Sequence, residues 1–425
     1  MAYPDTFYAR SLTETTTRPA LNGPIDTDTV IIGGGLAGLT TALELARAGT
    51  HVTVLESQSI GYGASGRNGG IVSPAFACGS DAIAARVGPD AARALHRLTI
   101  EGVERLRSNI TRLNITDADP IPGLLNLRRF DQSADLHPYA EDFARDYDYH
   151  FTYLNRAAIA ERLNTPRYKH GLSDPQAFHI HPLNYLRALA REIERLGGKI
   201  HESTPATGAD LQTTKTIRTP SGTVTAKRAV FATGGYTGPL IPRLKRAILP
   251  IATYMMLSEA APDLIATAIK TREAVLDDRR TSDYYRLVDG GKRLLWGGRI
   301  TTRAASADGV AKELRRAMLE VFPQLAPLKT DLAWSGLMAY ARHLMPQLGQ
   351  MQPDVWHITA FGGHGLNTTA ITGKILAEAI LNQSDRISLF APFRLTYAGG
   401  PIGLAVAQLS YWGLQAKDRW RERHS

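Results

Sequence analysis

The sequence contains a single cysteine, Cys78, in 425 residues. One thiol cannot form a disulfide within the chain, and it cannot provide the thiolate cluster of a structural zinc site. The composition therefore does not require an oxidising compartment, and we predict no metal site.

Long apolar runs are absent as well. The sequence has no uncharged apolar stretch long enough to cross a bilayer, and the residues up to Gly23 are polar and rich in threonine. A membrane-spanning helix needs about 20 apolar residues, and a secretory signal needs an apolar segment behind a basic start. We therefore expect no membrane partner, and a cytoplasmic location is the default prediction.

Positive charge is in modest excess. Lys and Arg number 49 against 40 Asp and Glu, a net charge of +9, and the basic residues are scattered until the C-terminal end. A nucleic-acid partner would need a basic stripe, so none is predicted. With 44% hydrophobic and 21% charged residues the chain is typical of globular proteins. Its length predicts roughly two to three domains, and the oligomeric state stays open.

What the sequence does contain is a glycine-rich stretch near its start, Asp28 to Gly38, which reads D-T-V-I-I-G-G-G-L-A-G. The β-branched residues Val30–Ile32 are typical of a buried strand, and a G-x-G-x-x-G and an apolar-faced helix follow. Gly33 permits a tight turn, Gly35 lets backbone N–H groups approach a pyrophosphate, and Gly38 allows close helix packing. The positive end of the helix favours the phosphate charge.

A second strand, His51–Leu55, ends on Glu56, which lies 18 residues beyond Gly38 (56 − 38 = 18). A carboxylate at this distance accepts hydrogen bonds from a ribose 2′-hydroxyl and repels a 2′-phosphate. The alternative is an ordinary glycine turn followed by a surface glutamate. The complete strand–helix–strand context favours an adenine dinucleotide site.

Another glycine-led helix start occurs late in the chain, where 362–365 reads G-G-H-G after the buried-strand pattern Trp356–Phe361. The free N–H groups and positive end of such a helix stabilise an anion or an electron-rich carbonyl. The first glycine turn would bind a diphosphate, and the second would face a flavin ring, which becomes anionic on reduction. Two such turns fit FAD better than NAD.

The pattern between these two turns predicts further helices and a second sheet. Helical spacing is found over 81–113, 154–163, 182–196 and 311–322, and again from about residue 402,. A long strand over 250–259 and a hairpin over 283–300 predict an antiparallel sheet, inserted between parts of the nucleotide-binding domain,.

Seven stretches carry a family resemblance: V-I-I-G-G-G-L-A-G-L-T-T-A at 30–42, G-A-S-G-R-N-G-G at 63–70, H-I-H-P-L-N-Y at 179–185, A-T-G-G-Y at 232–236, L-L-W-G-G-R at 294–299, P-Q-L-G at 346–349 and G-G-H-G-L-N at 362–367. They resemble the FAD-dependent amine and amino-acid oxidases of the D-amino-acid oxidase and glycine oxidase superfamily. Within it the chain is most similar to the γ-glutamylputrescine oxidase group. The resemblance spans essentially the whole chain.

The resemblance implies an α/β fold, α+β overall. A discontinuous Rossmann-like domain would bind FAD non-covalently, and a substrate domain would be built on an antiparallel sheet. The predicted boundaries are 1–27 for an N-terminal arm on the surface, 28–80, 176–245 and 340–400 for the FAD-binding domain, 81–175 and 246–339 for the substrate domain, and 401–425 for a C-terminal helix.

Carried over residue by residue, the resemblance assigns four groups of cofactor-binding residues. The ADP half falls to Gly33, Gly35, Leu36, Ala37, Gly38, Glu56 and Ser57. The route from diphosphate to ring falls to Gly63, Ala64, Ser65, Arg67, Asn68, Gly69 and Gly70. The adenosine side falls to Ala206, Thr233, Gly234 and Gly235, and the ring edge to Gly363, His364, Gly365, Leu366, Asn367 and Thr368. For Arg67 a structural role, donating to backbone carbonyls, is equally open.

The activity implied by the resemblance is hydride transfer from the carbon bearing a neutral amine to flavin N5. The imine then hydrolyses to an aldehyde or keto product, and O2 reoxidises the flavin to give hydrogen peroxide. The catalytic and substrate-wall candidates are His364, Tyr254, Tyr285, Arg286 and Trp334, with core packing as the alternative for the last four. A dehydrogenase using a quinone or another carrier, an oxidase of a small amino acid, and a flavin-binding scaffold without turnover stay open.

The residue at position 367 bears on the substrate. Monomeric sarcosine oxidase has G-H-G-F-K at the corresponding place, where the lysine helps to hold the substrate carboxylate, whereas this chain has Asn367. A charge-assisted hydrogen bond is worth about 1.5–3 kcal/mol, against about 1 for a neutral one. We therefore predict a preference for an amine without an adjacent carboxylate, such as a polyamine or its acylated derivative, unless Arg67 or Arg286 compensates.

Overall fold

Two β-sheets and the helices that cover them form the protein. The computed structural model describes residues 3–130, 133–279, 283–302 and 305–423. The strands are β1 Gly23–Ile32, β2 Val52–Leu55, β3 Ile71–Val72, β4 Ile121–Arg128, β5 Thr152–Leu154, β6 His170–His179, β7 Lys199–His201, β8 Gly208–Asp210, β9 Lys215–Arg218, β10 Gly222–Phe231, β11 Leu249–Ser258, β12 Ala274–Asp277, β13 Tyr284–Val288, β14 Arg293–Thr301, β15 Thr330–Tyr340, β16 Gln347–Gln352 and β17 Val355–Thr359. The helices are α1 Phe7–Arg10, α2 Leu36–Arg47, α3 Ser80–Val87, α4 Pro89–Arg112, α5 Ser133–Tyr147, α6 Arg156–Ala160, α7 Pro182–Arg195, α8 Pro242–Arg246, α9 Pro262–Ala266, α10 Ala307–Val321, α11 Gly365–Ile380 and α12 Gly400–Arg423.

The first sheet has the order β16-β17-β10-β1-β2-β7 and is called the parallel sheet. The pairs β17–β10, β10–β1, β1–β2 and β2–β7 are parallel, while β16, β8 and β9 add antiparallel edges. Its strands come from the beginning, the middle and the last quarter of the chain. The predicted discontinuous, Rossmann-like architecture is confirmed.

The second sheet, called the antiparallel sheet, has the order β15-β11-β14-β13-β12-β4-β6-β3, with β5 on β6. Apart from the parallel pair β12–β4, its neighbours run antiparallel. Helix α10 covers one face with a core that includes Tyr285, Trp296 and Leu314. The predicted antiparallel sheet is therefore present, and its hairpin is β13–β14.

Helix α4 lies outside the domain to which the predicted boundaries assign it. Its apolar face, with Leu95 and Leu98, belongs to the same core as helices α2, α7 and α11 on the parallel sheet. A Cβ at Gly102 would lie 2.2 Å from the backbone oxygen of Asn367, so α4 and α11 touch backbone to backbone. The spacing of apolar residues predicted the amphipathic face of α4, but it did not predict which part of the protein this face packs against.

The N-terminal arm is also integrated rather than laid over the surface. Residues 23–27 extend β1, and Tyr8 in helix α1 is completely buried. The Tyr8 hydroxyl donates to the backbone oxygen of Asn68 at 2.7 Å and accepts from Arg286 at 3.0 Å. Tyr8 therefore ties the arm to the 63–70 loop and the antiparallel sheet, while residues 23–27 join the parallel sheet.

Two predicted helices are shorter than their patterns. The range 81–113 divides at Gly88, which has φ +85°, and Pro89 then starts α4. In the range 154–163 only Arg156–Ala160 is helical, because Thr152–Leu154 pairs with β6.

Candidate active site

A cavity of about 1310 Å³ lies between the carboxyl ends of the parallel strands and the antiparallel sheet. It exceeds the range of roughly 300–1,000 Å³ of most small-molecule sites. Its wall contains these predicted residues: Gly33, Gly35, Leu36, Ala37, Glu56, Ser57, Gly63, Ala64, Ser65, Arg67, Asn68, Gly69, Gly70, Ala206, Thr233, Gly234, Gly235, Gly363, His364, Gly365 and Leu366.

The turn from β1 to α2 needs its glycines for space. Gly33 has φ +115°, and a Cβ there would lie 2.6 Å from the backbone oxygen of Ala232. A Cβ on Gly38 would lie 1.9 Å from the backbone oxygen of Gly33, so Gly38 serves packing and faces away from the cavity. The first N–H of the helix, on Leu36, donates to Ser65 Oγ at 3.0 Å.

Glu56 lies at the end of β2 with its carboxylate held by backbone donors. Oε2 accepts from Gly34 N at 2.7 Å, and Oε1 accepts from Gln58 N at 2.8 Å. Burial raises the pKa of the Glu56 carboxyl, and these N–H donors oppose the rise. The carboxylate is fixed at the cavity wall, where the motif predicts the ribose.

The loop 63–70 is organised by its own side chains. Asn68 Nδ2 donates to the backbone oxygen of Ser65 at 2.7 Å, and its Oδ1 accepts from Gly70 N at 2.8 Å. Arg67 Nε donates to the backbone oxygen of Tyr62 at 2.6 Å and Nη1 to that of Ser335 at 3.1 Å. Arg67 therefore has the structural role that the sequence left open, although it also lines the cavity.

Two tyrosines of the antiparallel sheet face the glycine loops. A Cβ on Gly69 would lie 2.7 Å from the Tyr284 ring, and a Cβ on Gly362 would lie 2.7 Å from the Tyr340 ring. Burial raises the pKa of both tyrosines to about 12. Their hydroxyls are therefore neutral donors at physiological pH.

His364 immediately precedes helix α11 and lines the cavity. Burial lowers its pKa to about 4, so the imidazole is neutral. Asn367 and Thr368 lie inside the helix and point elsewhere: Asn367 Nδ2 donates to the backbone oxygen of Ala75 at 3.3 Å, and Thr368 Oγ1 donates to that of His364. The predicted ring-edge contacts therefore end with Leu366.

The four substrate-wall candidates lie outside the cavity wall. Tyr285 stacks on Trp296, with ring centroids 4.3 Å apart and planes 3° from parallel, in the core under helix α10. Tyr254 points to the same side and bonds Thr301 Oγ1 at 2.8 Å. Because side chains alternate along a strand, their neighbours Tyr284 and Thr253 face the cavity instead,.

The other two candidates, Trp334 and Arg286, are structural. Trp334 Nε1 donates to the backbone oxygen of Arg67 at 2.9 Å. Arg286 donates to the backbone oxygens of Gly69 at 2.7 Å and Ile180 at 2.8 Å, besides the Tyr8 hydroxyl.

The fourth acceptor of Arg286 is His179 Nδ1 at 2.8 Å. Burial and this guanidinium lower the pKa of His179 to about 3, which keeps the ring neutral and able to accept. Arg286 thus joins the arm, the 63–70 loop and β6.

Sequence reasoning missed several residues of the substrate side of the cavity: Asn126, Thr253, Leu276, Tyr284, Gly298, Arg299, Ile300, Leu337, Tyr340 and Tyr411. The L-L-W-G-G-R stretch was one available signal, since glycines inside a strand often mark a bulge or a close approach. A Cβ on Gly297 would lie 2.2 Å from the Tyr284 ring. No group of three His, Cys, Asp or Glu within the described parts of the chain is arranged to hold a metal ion. Among the described helices, none has both the length and the apolar character needed to cross a membrane.

Comparison with known proteins agrees with this geometry. The family model for FAD-dependent oxidoreductases (DAO) matches residues 28–379. Gamma-glutamylputrescine oxidoreductase of Escherichia coli (strain K12) is 34% identical over 388 residues, which cover 91% of each chain. Probable oxidoreductase OrdL of Haemophilus influenzae is 31% identical, over 93% of this chain and 92% of the relative. The crystal structure of glycine oxidase from Geobacillus kaustophilus shares the fold, with a TM-score of 0.71 at 21% identity, over 87% of this chain and 98% of that chain.

The wall fits FAD. Gly33 and Gly35 border the cavity at the turn into helix α2, and the start of this helix offers N–H groups to a diphosphate,. A second helix start, at Gly365, meets the other end of the cavity, where a flavin ring would gain an electropositive neighbour,. The chain belongs to the DAO family of FAD-dependent oxidoreductases.

Proposed function

We propose that this protein oxidises the C–N bond of a polyamine or an acyl-polyamine, with O2 as electron acceptor and hydrogen peroxide as product. The family, with relatives named for γ-glutamylputrescine and for glycine, supports an oxidoreductase that acts on amine or amino-acid substrates. A cytoplasmic location is part of the same proposal. Measuring hydrogen peroxide formed per amine oxidised tests the acceptor, because an enzyme that uses a quinone forms none.

The observation that carries the proposal is the neutral wall beside the two glycine loops. Tyr284, Tyr340 and His364 are uncharged there, and Arg286 is engaged by four acceptors on the other side of the loop. Arg67 donates to backbone carbonyls. A carboxylate on the carbon next to the nitrogen would therefore meet no uncommitted cation among these residues.

Bound FAD supplies the acceptor for the hydride that leaves the carbon next to the nitrogen. The protein residues bind and orient the amine. The Tyr340 hydroxyl and the neutral His364 offer hydrogen bonds to the nitrogen without a charge that would hold the amine in one protonation state. The Tyr284 hydroxyl already donates to Met255 Sδ at 3.2 Å, so this residue contributes its ring to the wall. The half-buried rings of Tyr284 and Tyr340 cover Gly69 and Gly362 of the glycine loops.

Substrate choice should follow this neutral wall. We expect kcat/KM for putrescine or an acylated putrescine to exceed that for sarcosine or glycine by about tenfold or more, the factor lost with a charge-assisted hydrogen bond. Steady-state assays of all four amines on one preparation measure the ratio. A preference for sarcosine or glycine would contradict the proposal and would indicate that Arg299, a cation of the cavity wall outside this set of residues, holds the carboxylate.

The rate should rise with pH between neutral and alkaline values. An alkyl amine has a pKa of about 10, so raising the pH by one unit below that value gives about ten times more neutral amine. His364, with a pKa of about 4, and the two tyrosines, with pKa values of about 12, keep one charge state over this range. Anaerobic flavin reduction at low, fixed amine concentration measures the slope. A rate independent of pH would contradict oxidation of the neutral amine.

The flavin should be released by acid, because it is predicted to be non-covalent. Cys78 packs against the apolar core near α2 and α4, and burial raises the pKa of its thiol, which makes the nucleophilic thiolate scarce,. Precipitation with acid is expected to leave the yellow colour in the supernatant. A yellow pellet would show a covalent link.

A further inference from the structure

The C-terminal helix α12 packs on the protein with a side that carries polar groups. Tyr411 is buried there, and its hydroxyl accepts from Ile300 N at 3.1 Å. Gln408 is buried as well, and its Oε1 accepts from Thr302 N at 3.0 Å. Asp418 is the third buried residue of this side. The helix thus directs an amide, a phenol and a carboxylate inward.

The opposite side of α12 is apolar and exposed. Ile402, Val406 and Leu409 are 76%, 56% and 63% exposed, and their spacing of four and three residues places them on one stripe,. Helical spacing continues this outward stripe, whose members are Ile402, Val406, Leu409, Gly413, Ala416 and Trp420, all exposed. It is about 27 Å long at 1.5 Å per residue.

This arrangement is inverted relative to an ordinary surface helix, which turns its apolar stripe to the core and its polar side to water. A row of exposed apolar side chains marks a contact with another apolar phase or surface. The outward stripe therefore requires a partner, and the charges around it determine which kind.

A basic groove borders the start of α12. It is lined by Arg243 and Arg246 of helix α8 and by Tyr397, among others. The backbone oxygen of Arg246 accepts from Ala398 N at 2.9 Å, and a Cβ on Gly403 would lie 3.2 Å from Leu249 Cδ2. These contacts hold the basic groove beside the first turn of the helix.

The chain segments that meet here lack acidic residues. The ranges 236–258, 332–353 and 386–417 contain no Asp or Glu. They are neighbours, because Leu249 pairs with Tyr340 and Gln347 Nε2 donates to the backbone oxygen of Arg394 at 3.4 Å. Their exposed cations are Arg243, Lys245, Arg246, Arg342, Arg394 and Lys417.

An apolar stripe beside cations without acidic neighbours matches an anionic bilayer. Helices bind such a surface by burying the apolar side at the boundary of headgroups and acyl chains, while Lys and Arg attract anionic lipids. Tryptophan, as at position 420, is favoured at that depth,. We propose that the outward stripe of α12 and the adjoining basic groove dock this protein on the surface of an anionic lipid bilayer.

A second copy of the chain matches the same surface less well. A two-fold interface brings one patch against itself, so cations from the acid-free segments would face cations. Like charges across an interface lower the affinity. The bilayer supplies the opposite charge.

The sequence predicted no membrane partner because it lacks a spanning segment, but a helix that lies on the surface needs none. The cytoplasmic leaflet is the anionic one in cells, so docking is compatible with the proposed location. The inference is independent of the substrate and of the electron acceptor.

Vesicle binding of the holoenzyme tests the inference. We expect the protein to sediment with vesicles of equal parts phosphatidylcholine and phosphatidylglycerol, at least tenfold more strongly than with phosphatidylcholine alone, and less strongly as salt is added. Leu409→Gln should lower the partition coefficient about tenfold and Arg246→Gln about fivefold. Both residues are exposed, so the urea midpoint should stay that of wild type,.

Arg316→Gln is the matched control. It removes one exposed charge from helix α10, on the far face of the antiparallel sheet, and should bind the mixed vesicles as wild type does. An equal loss in Arg246→Gln and Arg316→Gln would mean that net charge alone attracts the protein, and it would overturn the inference. Absence of binding to the mixed vesicles, or undiminished binding of Leu409→Gln, would overturn it too.

Sedimentation velocity without lipid tests the second copy. We expect wild type and Leu409→Gln to have the same oligomeric state. A wild-type dimer that Leu409→Gln converts to a monomer would assign the outward stripe to self-association and would contradict docking on lipid.

Discussion

Gly35→Val is expected to give a folded, colourless protein. A Cβ at this position would lie 2.8 Å from Ser65 Oγ, and valine adds two methyl groups at a turn that borders the cavity, where we expect the diphosphate to approach helix α2. Overpacking costs up to about 3 kcal/mol, which corresponds to an increase of about 100-fold in the dissociation constant of FAD. Absorbance of the purified protein and reconstitution of the apoprotein with FAD measure the loss.

The control for this variant is Gly413→Val. Gly413 lies on the exposed side of helix α12 with no atom within 4 Å of an added Cβ, and valine is a better helix residue than glycine,. The control should bind FAD as wild type does. Normal FAD content in Gly35→Val would show that the first glycine motif does not hold the cofactor.

Arg286→Met is expected to lower the free energy of unfolding by about 3 kcal/mol or more, because each hydrogen bond to a buried charge contributes about 1.5–3 kcal/mol. The side chain is 5% exposed and has four acceptors, one each on Tyr8, Gly69, His179 and Ile180. Methionine keeps much of the volume and leaves the acceptors unsatisfied. Urea unfolding, followed by tryptophan fluorescence, measures the change.

Arg316→Met serves as the comparison, since an exposed substitution stays within about 0.5 kcal/mol of wild type,. Tyr8→Phe removes one of the four acceptors and should fall between the two. If Arg286→Met unfolds at the wild-type urea concentration, the network does not stabilise the fold. Loss of amine oxidation without loss of stability would instead place Arg286 in the substrate site.

The glycine turns and the discontinuous sheet could be predicted from sequence because glycine spacing and β-branched runs are local signals. Which side chains of hairpin strand β13 face the cavity could not be predicted. Tyr284 and Tyr285 are both aromatic, and the two faces of β13 are both largely buried, one against the cavity and one against the core under α10. Because neither face of β13 is polar, the alternation of side chains does not show which face points to the cavity. Tyr285 was therefore assigned to the substrate wall instead of Tyr284.

The roles of Arg286 and Asn367 were hidden for a different reason. The structural role of Arg286 depends on Tyr8, which lies 278 positions away in the sequence. Tyr8 belongs to the N-terminal arm, whose composition resembles that of a polar extension. Asn367 follows a glycine motif, but its rotation about the axis of α11 directs it to Ala75. Long-range packing decides both, and no local pattern reports it.

The order of the parallel sheet has a consequence for synthesis of the chain. Strand β1 leaves the ribosome well before its neighbour β10, which begins at Gly222, and before β17, which begins at Val355 and pairs with residues 229–231 of β10. Until then each emerging strand has an unpaired edge, and pairings between distant parallel strands form slowly. Tyr411, which completes the wall, follows later still. A nascent chain that lacks α12 already contains the glycine motif for the cofactor, but the wall of the cavity is still incomplete.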